Sequence, residues 1–243
     1  MLRVRPILFT SRPDRWTALL TALGLACTED HGGWRVFGSG NGKVGLHRVA
    51  PGSEDDGVTR LGFEIREREV FVRRTLADGT RAELVESDHG PSARVTAPDG
   101  FSFLADPVAD AADLADAADD PGDAGPGNGT RGHRAPGRLT VVQLWRTPEP
   151  DGARKVLADI GARPVPPRTD GHAAFRAKNG GLVVVQPRPA SGVVPALEYD
   201  GDLAALGARL TSQGVPAAPD RGALSVQTPD GTLRIMADGA AWT

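Results

Sequence analysis

Two arginines, a histidine and a glutamate fall where strand alternation would gather them on one face. His47 follows Gly45 by two in the run Lys43-Val44-Gly45-Leu46-His47-Arg48-Val49, and residues two apart on a strand point to the same side. The same parity brings in Arg5 and, from the run Arg60-Leu61-Gly62-Phe63-Glu64-Ile65, Arg60 and Glu64. Two guanidiniums and an imidazole suit a carboxylate or phosphate ligand, because the guanidinium offers paired planar donors and a fixed charge. The same residues equally suit a salt-bridged cluster at a rim, with Arg60 paired to Glu64 along its strand. A metal held by His47 and Glu64 would be at least one ligand short. In the second half of the chain Gln143, Trp145 and Gln186 stand at the corresponding places. An indole and two amides suit a neutral planar ligand, and Trp145 suits a packed core as well.

Other chemistry-bearing stretches fail on spacing. Gly38-Ser39-Gly40-Asn41-Gly42-Lys43 has three residues, not four, before its Gly-Lys pair, and Val44 follows where a phosphate loop needs Ser or Thr. It reads as a hairpin turn. Ser87-Asp88-His89 are consecutive, and consecutive loop residues do not converge as a catalytic triad does. His31, His89 and His172 lie in or near loops and His133 lies in a segment poor in apolar residues, none with a partner at metal-ligand spacing. Cys27 is the only cysteine, which excludes an intrachain disulfide and a cysteine metal cluster.

The elements that must position these residues occur in a repeated order. A strand at 3–9 leads to a helix opened by Ser11-Arg12-Pro13-Asp14, with Ser11 as the expected N-cap and Gly24 as the stop. A hairpin at 34–49 follows, then a strand at 60–65, a helix from about Glu67 to Leu76, and strands at 81–86, 92–96 and 101–105. The pattern is βαβββ, twice, and it closes on Pro98-Asp99-Gly100. From Leu139 the order returns: a strand at 139–145, a helix stopped by Gly161, a hairpin across Asn179-Gly180-Gly181, a strand at 194–199, a helix at 202–213, and a closing hairpin at Pro229-Asp230-Gly231. Pro-Asp-Gly between apolar runs is a hairpin signal, since Pro presets φ and Asp-Gly tolerates positive φ. Gly24 and Gly161 are 137 residues apart and Asp99 and Asp230 are 131 apart, as two homologous blocks with small loop differences require.

Residues 1–107 and 138–243 are therefore expected to be two domains. Residues 108–137 carry six Asp and two Arg among Ala, Gly and Pro, with no aromatic residue. Such a segment buries too little apolar surface to offset chain entropy, so a disordered linker is expected. The formal net charge of −3 gives no general attraction to nucleic acid or anionic membrane. No apolar run is long enough to span a bilayer, and the first residues lack a signal peptide's layout, so a cytoplasmic location is expected. Arginine outnumbers lysine 25 to 3, in keeping with the codon bias of a GC-rich bacterium.

The tandem of βαβββ units resembles the vicinal oxygen chelate superfamily, the glyoxalase, bleomycin-resistance and extradiol-dioxygenase group. The residues that carry the resemblance are Ser11 to Leu25, Trp34 to His47, Leu61 to Ile65 and Ala97 to Leu104, with their counterparts in 139–238. It implies an α+β fold of four βαβββ modules paired into two glyoxalase-like domains, each a curled mixed sheet forming a cup with helices outside. Single-domain relatives often dimerise, so the chain is expected to be a monomeric pseudo-dimer or a homodimer. The resemblance also implies a divalent metal in a cup, held by His, Gln or Glu on four strands. The matching positions are Arg5, Gly45, Arg60 and Leu104 in the first domain. In the second they are Val142 or Gln143, Val184, Pro195 or Ala196, and Met236. Only Gln143 can ligate, and Arg would repel a cation. The expectation is a metal-independent small-molecule-binding protein that sequesters or senses its ligand as resistance proteins do, without a metal or other cofactor and without nucleic-acid or membrane partners. Its ligand residues would be Arg5, His47 and Arg60 in one cup and Gln143, Trp145 and Gln186 in the other. The alternative is a metal-dependent glyoxalase or dioxygenase with displaced ligands.

Overall fold

The structure, a computed structural model, describes residues 1–87, 90–108, 138–166 and 172–242. Asp88, His89, His133 and nearly all of the segment expected to be a disordered linker lie outside the described residues. Four βαβββ modules follow one another. The first comprises β1 (Leu2–Val4), β2 (Ile7–Thr10), α1 (Pro13–Leu23), β3 (Ala26–Asp30), β4 (Trp34–Gly38), β5 (Gly40–Asn41) and β6 (Lys43–Arg48). The second comprises β7 (Thr59–Arg60), β8 (Gly62–Ile65), α2 (Arg68–Ala77), β9 (Arg81–Ser87), β10 (Gly90–Thr96) and β11 (Ser102–Pro107). The third has β12 (Arg138–Thr147), α3 (Pro150–Asp159), β13 (Arg163–Pro164), β14 (Ala173–Arg176) and β15 (Leu182–Pro187). The fourth has β16 (Gly192–Asp200), α4 (Leu203–Ser212), β17 (Ala217–Asp220), β18 (Ala223–Thr228) and β19 (Gly231–Ala237).

Pro6 decides how the first half differs from the second. Proline has no N–H to give a ladder, and at Pro6 the opening strand breaks in two. β1 runs antiparallel to β8, while β2 pairs with β6 in parallel and with β7 antiparallel. Two five-stranded sheets result, in the orders β1-β8-β11-β10-β9 and β3-β4-β6-β2-β7. In the second half β12 and β16 are unbroken and pair from Arg138↔Asp200 to Arg146↔Gly192, so one sheet continues through both modules.

Strand alternation sends one face of each sheet to the helices and the other into a cup. On the helix side, Trp16, Leu19, Leu20 and Leu23 of α1, Val156 and Leu157 of α3, and Leu206 and Leu210 of α4 join Phe63, Phe103 and Trp145 in one core that spans both halves. On the cup side, Ile7, Phe9, Trp34 and Val36 cluster in the first half, and Val142, Leu144, Val184, Ala196, Met236 and Trp242 in the second. Local signals mark several of the helix ends. Pro13 and Pro150 stand in the first turns of α1 and α3, Asp202 accepts from Ala204 N and Ala205 N at the start of α4, and Gly24 closes α1 at φ 99°. Ser11 does not cap α1 as expected. Arg12 is the N-cap residue, and Ser11 Oγ instead donates to Asp56 Oδ2 at 2.9 Å.

The contacts that join the halves include two reciprocal pairs. Asp99 of the first Pro-Asp-Gly turn accepts from Thr147 Oγ1 (2.9 Å) and Ser191 Oγ (2.7 Å) of the second half. Asp230 of the second turn accepts from Arg12 Nη2 (2.5 Å) and Trp16 Nε1 (2.5 Å) of the first. The two glycine-rich hairpin turns cross each other. β5 adds in parallel to β12, Asn41 Oδ1 accepts from Gly181 N (2.9 Å), and Val4 N donates to Gly180 O (2.9 Å). Gly181, at φ 88°, has no room for a side chain, since a Cβ there would lie 2.3 Å from Val4 Cβ.

Candidate functional site

The split at Pro6 leaves a cavity of about 470 Å³ between the two sheets of the first half. Its lining includes Ile7 and Phe9 of β2, His47 of β6, Arg60 of β7, Arg94 of β10, and Ser102 and Leu104 of β11. β2, β6 and β4 are adjacent, with Phe9 in register with His47 and His47 with Trp34. Their rings consequently meet: the Phe9 and His47 centroids are 4.9 Å apart at 37°, and the indole of Trp34 meets His47 edge-on at 6.4 Å. The guanidinium of Arg60 lies 4.6 Å from the Phe9 ring centroid and donates to Asp55 Oδ1 at 2.5 Å. Arg94 pairs with Glu83 at 3.5 Å. Both arginine side chains are about half exposed, at 56% and 45%, so each keeps donors for a further acceptor at the mouth. The site combines an aromatic floor, two guanidiniums, the Asp55 carboxylate, an imidazole and the hydroxyls of Ser87 and Ser102.

Behind the aromatic floor lies a buried charge network. Glu64 of β8 meets Arg3 Nη1 at 3.1 Å, Arg5 Nη1 at 3.4 Å and Lys43 Nζ at 3.4 Å. Arg5 also binds Asp106 of β11, which accepts from Ser92 Oγ at 2.6 Å. The Arg5 guanidinium sits 5.1 Å from the Trp34 ring centroid.

Of the three residues expected in the first cup, the structure brings His47 and Arg60 to the cavity. Arg5 is only 4% exposed and belongs to the network with Glu64 and Asp106. The pairing of Arg60 with Glu64 does not form: Arg60 turns to Asp55, and Glu64 to Arg3, Arg5 and Lys43. The second set needs a larger correction, since Gln143, Trp145 and Gln186 share no cavity. The odd residues of β12 face the common core, not the cup. Gln143 is fully buried and spends both ends of its amide on Gly62 of the first half, accepting from its N–H at 3.0 Å and donating to its carbonyl at 2.9 Å. Trp145 packs against Phe101 and Phe103, with ring centroids 5.5 and 5.9 Å away. Gln186 alone reaches the second cup, where Nε2 donates to Trp242 O at 3.3 Å. Phe9 and Arg94 at the first cavity were missed in the sequence, although Phe9 follows Ile7 by two on a strand already assigned.

No protein-family model matches the sequence, and neither does any curated protein. The structure is similar to many solved ones. The 2,3-dioxygenase LapB from Pseudomonas sp. KL28 superposes with a TM-score of 0.60 at 14% identity, covering 98% of this chain and 91% of that one. Homoprotocatechuate 2,3-dioxygenase from Arthrobacter globiformis gives 0.59 at 15%, covering 97% and 78%. The Mn(II)-bound glyoxalase from Novosphingobium aromaticivorans gives 0.57 at 14%, covering 98% and 81%. The chain has the vicinal oxygen chelate fold, with the four modules in the expected order.

The divalent metal that this fold implies does not fit the residues present. Gly45 offers no donor, and Trp34 roofs it so closely that a Cβ would lie 2.7 Å from the indole. Ile7, Arg60 and Leu104 line the cavity around it, and the carboxylates of Glu64 and Asp106 are taken by cationic side chains. In the second cup, Val142, Val184, Ala196 and Met236 face inward against Trp242. Among the described residues no group of three His, Cys, Asp or Glu is placed to hold a metal ion.

Proposed function

We propose that this chain is a metal-independent binding protein for a small organic anion with a planar body, which it sequesters or senses through the first cup. The cavity of about 470 Å³ carries the reading, because its lining sets two half-exposed guanidiniums, Arg60 paired to Asp55 and Arg94 to Glu83, beside an aromatic floor. A carboxylate or phosphate would be received by Arg60 and Arg94, with His47 donating when protonated, and its planar body would lie against Phe9. The chain needs no partner copy to build this cup, in keeping with a pseudo-dimer within one polypeptide. The enzyme reading, a glyoxalase or dioxygenase with displaced ligands, is nearer to the proteins named above. It requires a divalent ion at positions that present Arg60, Gly45 and Leu104.

Calorimetric titration with zinc, nickel, manganese and iron separates the two. The expected outcome is no stoichiometric metal binding, and an ion bound with sub-micromolar affinity would restore the enzyme. A thermal-shift screen of aryl carboxylates and aryl phosphates should give hits whose affinity falls with salt, since both arginines are partly exposed and screened. Arg60→Ala should weaken such a hit roughly tenfold, the worth of one charge-assisted hydrogen bond. Unchanged affinity would place the ligand elsewhere.

A further inference from the structure

Where the end of α3 meets α2, the two halves leave a junction cavity of about 420 Å³ that shares no lining residue with the first cavity. Leu2 and Ile65 of the first half and Ile160 of the second are buried along its walls. Phe71, Arg74 and Thr75 stand three and four residues apart on α2 and present one face to it. Arg66, just after β8, and Lys178, in the turn between β14 and β15, also line it. Among the described residues, the side chains of Arg66, Arg74 and Lys178 make no ion pair or hydrogen bond.

Three carboxylates share the lining. Asp159 is occupied, since Lys155 Nζ and Thr80 Oγ1 both donate to its Oδ2 at 2.5 Å. Glu67 and Asp78 are exposed at the two ends of α2. The amino group of Met1 reports the balance of these charges. Its pKa is held below the ordinary value of 8.0, first because burial disfavours the charged form and then because Arg66, Lys178 and Arg74 repel it, while Glu67 acts the other way. The three cations prevail at that point, and a field that disfavours an ammonium favours an anion. Thr75 adds a second sign. It is 1% exposed, yet its Oγ1 has no hydrogen-bond partner among the described residues, and a buried hydroxyl left unpaired is costly.

We infer that the junction cavity is a second binding site, for a small organic anion whose carboxylate or phosphate is held by Arg66, Arg74 and Lys178 and whose short apolar body lies against Leu2, Phe71 and Ile160. Arg66 and Arg74 belong to the first half and Lys178 to the second, so the bound anion bridges the halves. The site is independent of the first cavity, and each can fail without the other.

Thermal shift and calorimetry on the full chain test it. Butyl phosphate and pentanoate carry the two headgroups on the same short body, and methyl phosphate and acetate carry them almost without it. At least one of the longer pair should bind and raise the Tm by about 5–10 °C at a hundredfold excess over its Kd. Its short counterpart should bind at least about tenfold more weakly, for want of three buried methylenes. Arg74→Ala and Lys178→Ala should each weaken the longer compound by about fivefold, between the worth of a screened ion pair and that of a charge-assisted hydrogen bond. Both side chains are exposed, so neither change removes a core contact. Arg60→Ala should leave this affinity as it is, whereas an anion bound in the first cavity would lose affinity with Arg60. Failure of both longer compounds to bind, short counterparts that bind as tightly, affinity unaltered by Lys178→Ala, or affinity lost with Arg60→Ala would each overturn the inference.

Discussion

Arg5 shows how a residue type that suits an anionic ligand can be absorbed by the fold. With Asp106 and Glu64 both in reach, its guanidinium neutralises the protein's own carboxylates. The network brings Arg3, Arg5 and Lys43 to Glu64, and Arg5 to Asp106, in a buried place. Glu64→Gln would remove the carboxylate charge that Arg3, Arg5 and Lys43 share, and a buried charge that loses a partner is costly. Urea unfolding should show a loss of about 3–5 kcal/mol. Gly181→Ala should also destabilise, by about 3 kcal/mol, because it adds a side chain at positive φ against Val4; the same unfolding measurement checks it. Parity made His47 and Arg60 legible in the sequence, since a short strand with a clear apolar pattern has one plausible inward face. It misplaced Gln143 and Trp145 because β12 is apolar on both faces. Val142 and Leu144 serve the cup while Val141 and Trp145 serve the shared core, and alternation carries no information in such a run.

The Pro-Asp-Gly turns show the same limit at the scale of an element. Their existence and type could be read locally, because turn chemistry depends on neighbours in the chain. Their use could not, since Asp99 and Asp230 each bind residues of the other half. Burial works against ionisation of Asp99, but hydrogen bonds from Ser191, Phe101 and Thr147 prevail and hold its carboxyl below the ordinary value of 3.8. Asp56 is held low by the N–H groups of Gly52 and Ser11 and by the Ser11 hydroxyl. A carboxyl whose folded pKa is depressed contributes stability that is complete above its unfolded pKa and is lost as pH falls through 3.8 towards the folded value. The Tm should therefore hold above about pH 5 and drop below it. Asp99→Asn should show a lower Tm at neutral pH, at a cost of about 2 kcal/mol, and a shallower acid limb. An acid limb as steep as that of the unmodified chain would remove Asp99 from the account.

At the scale of the molecule, the repeat was legible and the join between its copies was not. Helices, glycine stops and closing turns recur at nearly constant spacing, which revealed four modules. The crossing of two hairpin turns depends on glycines whose partners lie some 140 residues away. One core runs through both halves, with Trp145 of the second packed against Phe101 and Phe103 of the first. Cleavage between residues 109 and 137 should therefore give two pieces that co-elute in gel filtration. Pieces that separate in buffer without denaturant would show that the common core contributes little to association. The expectation of two domains at 1–107 and 138–243 becomes, in this form, a proposal of two bodies that stay together.

The crossed turns also carry a rule of recognition. The Asn41 side chain of one turn serves Gly181 and Thr140, and that of Asn179 in the other serves Leu2. These contacts are complementary but not interchangeable, because β5 adds to β12 while the opposite turn meets β1 through single bonds. Fragments 1–108 and 138–243 made as separate polypeptides would thus select each other over a second copy of themselves. Such a pair would act as a split protein, its two labels reporting the meeting of whatever they are fused to.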